Sequence, residues 1–219
     1  MGQRKKRRVR RPNLLDRLEL WCSTSRTIDD LWVGTWDNEP ERYLSRVEEA
    51  LRLIKACDRA RYNRLTRDLK RVWVRLLPGP VGSFAESWSA CQLDTRFVLD
   101  KRSSPDVIAA VIVHEGTHAR LSRCGIGYEE EARSRVEAIC IRREIAFARR
   151  LPNGDRVREL AETHLQSYAL PEILTDAARE RQHIEGSLEA LRHLGMPDWI
   201  GRTVVTLRTL YLRVKRRTD

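Results

Sequence analysis

The chain has 219 residues, of which 41% are hydrophobic and 33% charged, enough apolar material for one domain-sized core and too much for compositional disorder. No run approaches the ~18 apolar residues of a membrane-crossing helix, and no apolar segment follows the basic start, so neither a transmembrane anchor nor an export signal is expected. The formal charge is +11, and seven basic residues at positions 4–11 with four at 213–217, offset by Asp219, leave only about +1 for residues 12–212.

Residues 1–12 read as a disordered basic arm. Their Met1-Gly2 start lacks the hydroxyl residue that N-myristoylation wants at position six, where Lys6 stands. An irregular stretch with an amphipathic opening at Leu14, Leu15, Leu18 and Trp21 leads to Trp36. Glu39-Pro40-Glu41 then starts a helix with apolar residues at Leu44, Val47, Leu51 and Ile54. Residues 70–77 are β-branched and aromatic and predict a strand, stopped by Pro78-Gly79-Pro80. The Pro78 to Gly82 segment, lacking any phosphate-loop pattern, reads as a plain turn.

Two further short strands are expected at 88–93 and 96–100. Ser103-Ser104-Pro105 marks a helix start, and a long helix runs from there to about Arg123. Gly125 and Gly127 break it, and the next helix runs from Glu129 to about Arg150. Three more helices are predicted at about 155–168, 172–194 and 198–214, the last with a stripe of Ile200, Val204, Leu207, Tyr211 and Val214 that suits packing on the domain. The six tryptophans read as core anchors.

The organisation expected is therefore a basic arm over 1–12, a core over 13–152, and a helical extension over 153–219 packed on that core and ending in a short basic tail. The basic ends suit a polyanion, either nucleic acid or an anionic membrane surface. Five scattered cysteines (Cys22, Cys57, Cys91, Cys124, Cys140) form no C-x-x-C pair. They predict reduced, mostly buried thiols and a cytoplasmic protein rather than a disulfide framework.

The chemistry is concentrated in His114-Glu115-Gly116-Thr117-His118, an H-E-x-x-H motif. Residues four apart share a helix face, so both imidazoles can reach one tetrahedral ion, with Glu115 beside the open coordination position as a general base. With five histidines and eighteen glutamates in the chain, chance would produce such a match in roughly 0.7% of cases. The apolar run 107–113 ahead of it predicts a buried, rigid helix.

The segment 88–151 resembles the active-site region of zincin-type zinc metallopeptidases. That resemblance implies Zn2+ as cofactor, a peptide or protein substrate, and a strand beside the metal helix on which the substrate adds as a further strand. Residues 95–100 occupy the place of that strand. The resemblance also implies an α+β fold: a small, mainly antiparallel sheet, a buried metal-binding helix and a mainly helical C-terminal half. The metzincin pattern is excluded, because Leu121 and Cys124 stand where its Gly and His belong. The next histidine is His164, beyond a whole helix, which weakens the likeness to three-histidine DNA–protein-crosslink proteases. The gluzincin arrangement, with Glu as third ligand, remains.

Geometry selects that Glu. A turn centred near Ile126 puts the two histidines eight and twelve residues before it, and Glu137 lies eleven after it. Glu129, Glu130 and Glu131 fall short by roughly 6–10 Å at the helical rise per residue. They also suit the first turn of a helix, although Glu129 shares with Glu137 the spacing Glu-x-x-small seen in gluzincins. Glu144, one face-repeat further, can accept the second N–H of a ligating histidine; Tyr128, His164 and Tyr168 could donate to an oxyanion, but residues of these types are more often structural, and none is assigned that role.

The function expected is zinc-dependent peptide hydrolysis by His114, His118, Glu137 and Glu115. The alternative is a catalytically idle metal-binding regulator or nucleic-acid-associated protein that uses its basic termini, and a chance motif in a basic helical protein is the third reading.

Overall fold

The structure is a computed structural model that describes residues 14–168 and 171–218. It is α+β, a small sheet in a mainly helical chain. The first half contains α1 (Leu14–Cys22), β1 (Thr24–Ile28), β2 (Leu31–Thr35), α2 (Pro40–Cys57), α3 (Arg59–Asp68), β3 (Arg71–Arg75), β4 (Gly82–Ala85), β5 (Ala90–Asp94) and α4 (Thr95–Leu99). The second half contains α5 (Pro105–Arg123), α6 (Glu130–Ala148), α7 (Asp155–Ser167), α8 (Asp176–His193) and α9 (Asp198–Thr218). Single 3-10 turns occur at Glu86–Trp88 and Pro171–Leu174.

The five strands are ordered β1-β2-β3-β5-β4. β1 and β2 form an antiparallel hairpin, β3 joins β2 and β5 in parallel, and β4 runs antiparallel to β5 at the edge. The ladder is thus mixed, because the chain returns from β2 to β3 through two helices instead of a tight turn. One face of the sheet presents Leu31, Val33, Val72, Val74, Cys91 and Leu93, all fully buried. Leu44, Leu51 and Ile54 of α2 and Ile108 and Ile112 of α5 close over it. Each such side chain contributes about 1.5–3 kcal/mol of burial.

Two local expectations give way to tertiary contacts, and one helix was not foreseen. Residues 96–100 are not a strand: the Asp94 carboxylate accepts the N–H groups of Arg96 (2.8 Å) and Phe97 (3.3 Å) and starts α4 there. An N-cap at the end of β5 outweighs the β-propensity of Phe97 and Val98. The same carboxylate accepts the Leu77 N–H at 2.8 Å, tying the end of β3 to that of β5. The supposed turn after Pro80 continues into β4. Beyond α2, Asp58 caps a separate helix, α3, by accepting the Arg61 N–H at 3.0 Å.

α5 begins with Pro105 just inside its start. It ends in a left-handed Gly125 (φ 77°), with Ile126 N–H bonded to the Leu121 carbonyl and Gly125 N–H to Ser122. This paired closure caps the last carbonyls of the helix and sends the chain back as α6, which packs along α5. α7 lies on α6, with Ala161 against Ile141 and Ile145, and Val157 enters the main core. α8 approaches the loop between β3 and β4 so closely that a Cβ on Gly186 would lie 2.2 Å from the Gly79 nitrogen.

α9 departs from expectation in its packing face. Gly201 and Val205 face α8, whereas Val204 and Leu207 are exposed; the side chains of Tyr211 and Val214 lie outside the described residues, as does the arm 1–12. The helix itself continues through residues 213–217. Trp73 is buried, but Trp21, Trp36 and Trp199 are exposed, so the tryptophans are not uniformly core anchors. Cys91 and Cys140 are buried, Cys22 and Cys124 exposed, and all five thiols are free. The expectation of mostly buried thiols fails because Cys22 ends α1 and Cys124 caps α5. Among the described residues no helix is long and apolar enough to cross a membrane.

Candidate metal centre

His114, Glu115 and His118 project from the middle of α5, whose opposite side is sealed in the core by Ile108, Ala109 and Ile112. A helix gripped in this way holds its side chains in fixed directions. The α5–α6 hairpin brings Glu137 opposite them. The Nε2 atoms of His114 and His118 are 3.2 Å apart. Glu137 places Oε2 3.2 Å from His114 Nε2 and Oε1 3.5 Å from His118 Nε2. Two ligands about 2.0–2.1 Å from a tetrahedral zinc ion stand about 3.3 Å from each other. The two imidazole nitrogens and the Glu137 carboxylate, which meets them through different oxygens, thus stand near the spacing of one face of such a tetrahedron, and a donor set of two imidazoles and a carboxylate suits zinc.

Cys140 also comes close. Its sulfur and the two imidazoles lie within 4.8 Å of one another. It follows Glu137 by one turn of α6 and was visible in the sequence only as a small residue permitting helix approach. Burial and the neighbouring carboxylates push its thiol well above the ordinary range when no metal is bound. Cys140 is therefore a second candidate for the third position, beside Glu137.

Glu129, Glu130 and Glu131 are exposed at the start of α6, and Glu130 accepts the Asp176 N–H at 2.9 Å, away from the histidines.

The surrounding groups hold the triangle in place. His114 Nδ1 is 3.2 Å from Glu144 Oε2, which fixes the ring so that Nε2 faces Glu137. Burial would drive a proton off His114, but the bonds to Glu137 and Glu144 outweigh it and raise its pKa to about 10. Burial opposes ionisation of Glu137, yet the two histidines hold its carboxyl well below the usual range. The Tyr128 hydroxyl donates to Glu137 Oε1, and its ring meets His118 edge-on at 5.2 Å. His164 instead stacks on Tyr168 at 6.3 Å and is exposed; of these three candidates only Tyr128 touches the triangle.

Glu115 is 7% exposed and makes no hydrogen bond to any described residue. Burial pushes its pKa up, and the charges of His114 and His118 partly oppose this. A carboxylate desolvated in this way is a stronger base than one in water. The edge strand β4 crosses immediately beside it. A Cβ on Gly82 would lie 2.5 Å from Val111 Cγ1 and 3.3 Å from Glu115 Oε1, so glycine is what permits the approach. The strand neighbouring the metal helix is thus β4 and not residues 95–100. The glycine after Pro80-Val81 was the signal for it, masked by the turn-forming prolines.

No protein-family model, curated protein or solved structure matches the chain.

Proposed function

We propose that this protein is a zinc-dependent peptide hydrolase. The observation that carries the reading is the triangle of His114, His118 and Glu137 donor atoms at 3.2–3.5 Å, with an unbonded, buried Glu115 carboxylate beside it. Those three residues would hold a zinc ion, which would supply Lewis acidity to a carbonyl and to a water. Glu115 accepts the proton of the attacking water and delivers it to the leaving amine nitrogen. Glu144 keeps the His114 ring in its orientation. The outer edge of β4 offers unpaired backbone groups to which an extended peptide can add as a strand, bringing its carbonyl past Glu115.

The basic ends at 4–11 and 213–217 form its hold on a polyanion, and five free thiols support a reducing, cytoplasmic setting.

Zinc content and turnover of a broad peptide library, measured on wild type and Glu115→Gln, test the reading. The expected result is about one zinc per chain in both, with turnover lower by roughly 10²–10⁴ in the variant. Retained zinc with no hydrolysis by either protein would favour the catalytically idle metal-binding alternative. Absence of zinc under every loading condition would defeat both.

A further inference from the structure

On the other side of the metal helix, α3, α5 and α6 enclose a cavity of about 140 Å³. Arg61 and Arg64 of α3, Thr117 and Arg120 of α5 and Arg143 of α6 line it, together with Asp68. Val113, Gly116, Thr117 and Arg120 follow a stripe of α5 roughly 130° round from the two histidines, at 100° per residue. The cavity is therefore separate from the metal triangle.

The ion pairs of this face are unbalanced. Asp58 is shared by Arg61 (2.9 Å) and Arg150 (3.1 Å). Asp68 is shared by Arg67 (3.0 Å) and Arg123 (2.7 Å). Both aspartates are thus doubly occupied, and Arg64, Arg120 and Arg143 have no carboxylate partner among the described residues. Seven arginines meet two aspartates, a surplus of five positive charges in a body (residues 12–212) whose net charge is about +1. The crowding is felt locally: burial lowers the Arg61 pKa, Asp58 opposes the shift, and the charges of Arg64 and Arg150 add to it. An anion in the cavity would relieve that repulsion. All seven basic groups are guanidiniums, whose planar fork matches the oxygens of a phosphate two at a time. No lysine takes part.

We propose that this cavity is an anion site for a diphosphate-type group, held by Arg64, Arg120 and Arg143. Three unpaired guanidiniums match the charge of two linked phosphates better than that of a single carboxylate. A free diphosphate supplies such a group directly; neighbouring phosphodiesters of a nucleic-acid strand present the same phosphate oxygens with a sugar between them. The site is independent of the hydrolase reading and stands or falls without it.

The test uses the full chain with two probes: inorganic pyrophosphate by titration calorimetry and a labelled single-stranded oligonucleotide by anisotropy. The triple variant Arg64→Gln, Arg120→Gln, Arg143→Gln should bind pyrophosphate at least about tenfold more weakly than wild type, since each charge-assisted bond is individually strong. All three side chains are exposed, so its melting temperature and zinc content should match wild type. Arg120→Lys keeps the charge and loses the fork, and should by itself weaken binding several-fold. Deleting residues 1–11 should leave pyrophosphate affinity within about twofold, because the arginines proposed to hold it lie on α3, α5 and α6. If the oligonucleotide also depends on the three arginines, a strand supplies the phosphates; if only pyrophosphate does, the ligand is free. Failure of wild type to bind either probe, or equal binding by wild type and triple variant, overturns the proposal.

Discussion

At His114 one imidazole is gripped by two carboxylates, Glu144 on Nδ1 and Glu137 on Nε2, each at 3.2 Å. The two bonds have different consequences. Glu137 shares its oxygens between both histidines, so Glu137→Ala removes a donor from the triangle and should weaken zinc affinity severely. Glu144 acts only through the ring it orients, so Glu144→Gln should weaken affinity by about 10–100-fold. Glu130→Ala should leave it unchanged, since Glu130 is bonded to Asp176. Competition with a chromogenic chelator measures all three, and an order other than Glu137, Glu144, Glu130 would reassign the ligands. Spacing about the α5–α6 turn made Glu137 legible in the sequence. The proximity of Cys140 was not legible, because it depends on how closely the two helices approach.

Among the elements, α3 and α4 show how one buried carboxylate decides a helix start. Asp58 ends α2, caps α3, and pairs with Arg61 and Arg150 while only 3% exposed. Burial raises its pKa, but the backbone and side-chain bonds from Arg61 and the charges of Arg61 and Arg150 outweigh this and leave it lowered. A carboxyl whose folded pKa is depressed stabilises the fold above its unfolded value of about 3.9, and that stability is lost as pH falls through the lower folded value. Asp58→Ala should therefore cost about 2 kcal/mol near neutral pH. In urea melts at successive pH values the gap between variant and wild type should close below about pH 3.9. A gap that persists at acid pH would mean that the loss comes from packing and not from charge. The same capping logic at Asp94 turned residues 96–100 into a helix, against a propensity that favoured a strand.

For the whole molecule, charge is distributed in a way that net values conceal. Composition placed the surplus in the two ends and left residues 12–212 near neutrality, yet the fold gathers seven arginines and only two aspartates on the α3–α5–α6 face. The two proposed polyanion-binding regions should therefore behave differently. Deletion of residues 1–11 should flatten the dependence of duplex DNA affinity on salt, because every phosphate that the arm no longer neutralises takes roughly 0.9 from the slope of log K against log salt. Zinc content and peptide turnover should be untouched. Anionic vesicles provide the parallel measurement for a membrane surface. Equal slopes for full-length and truncated protein would show that the arm neutralises no phosphates.

The H-E-x-x-H helix, its Ser-Pro start and glycine end, the return helix bearing Glu137 and the mainly helical second half were all legible, because helical periodicity, caps and breakers act within a few residues of chain. β4 beside Glu115, the mixed strand pairing, α4 and the arginine-lined cavity were not. Each depends on partners far apart in sequence: Gly82 fits only against Val111 and Glu115, and β3 lies between β2 and β5 only because α2 and α3 carry the chain across. The arginines of α3, α5 and α6 and of the segment just after α6, separated by up to 89 residues (Arg61 to Arg150), become neighbours through helix packing. Sequence determined which residues have the chemistry and which helices carry them. Tertiary packing decided which of those groups face each other, because distances of about 3–4 Å between side chains are set by how whole elements are buried together and not by local conformation.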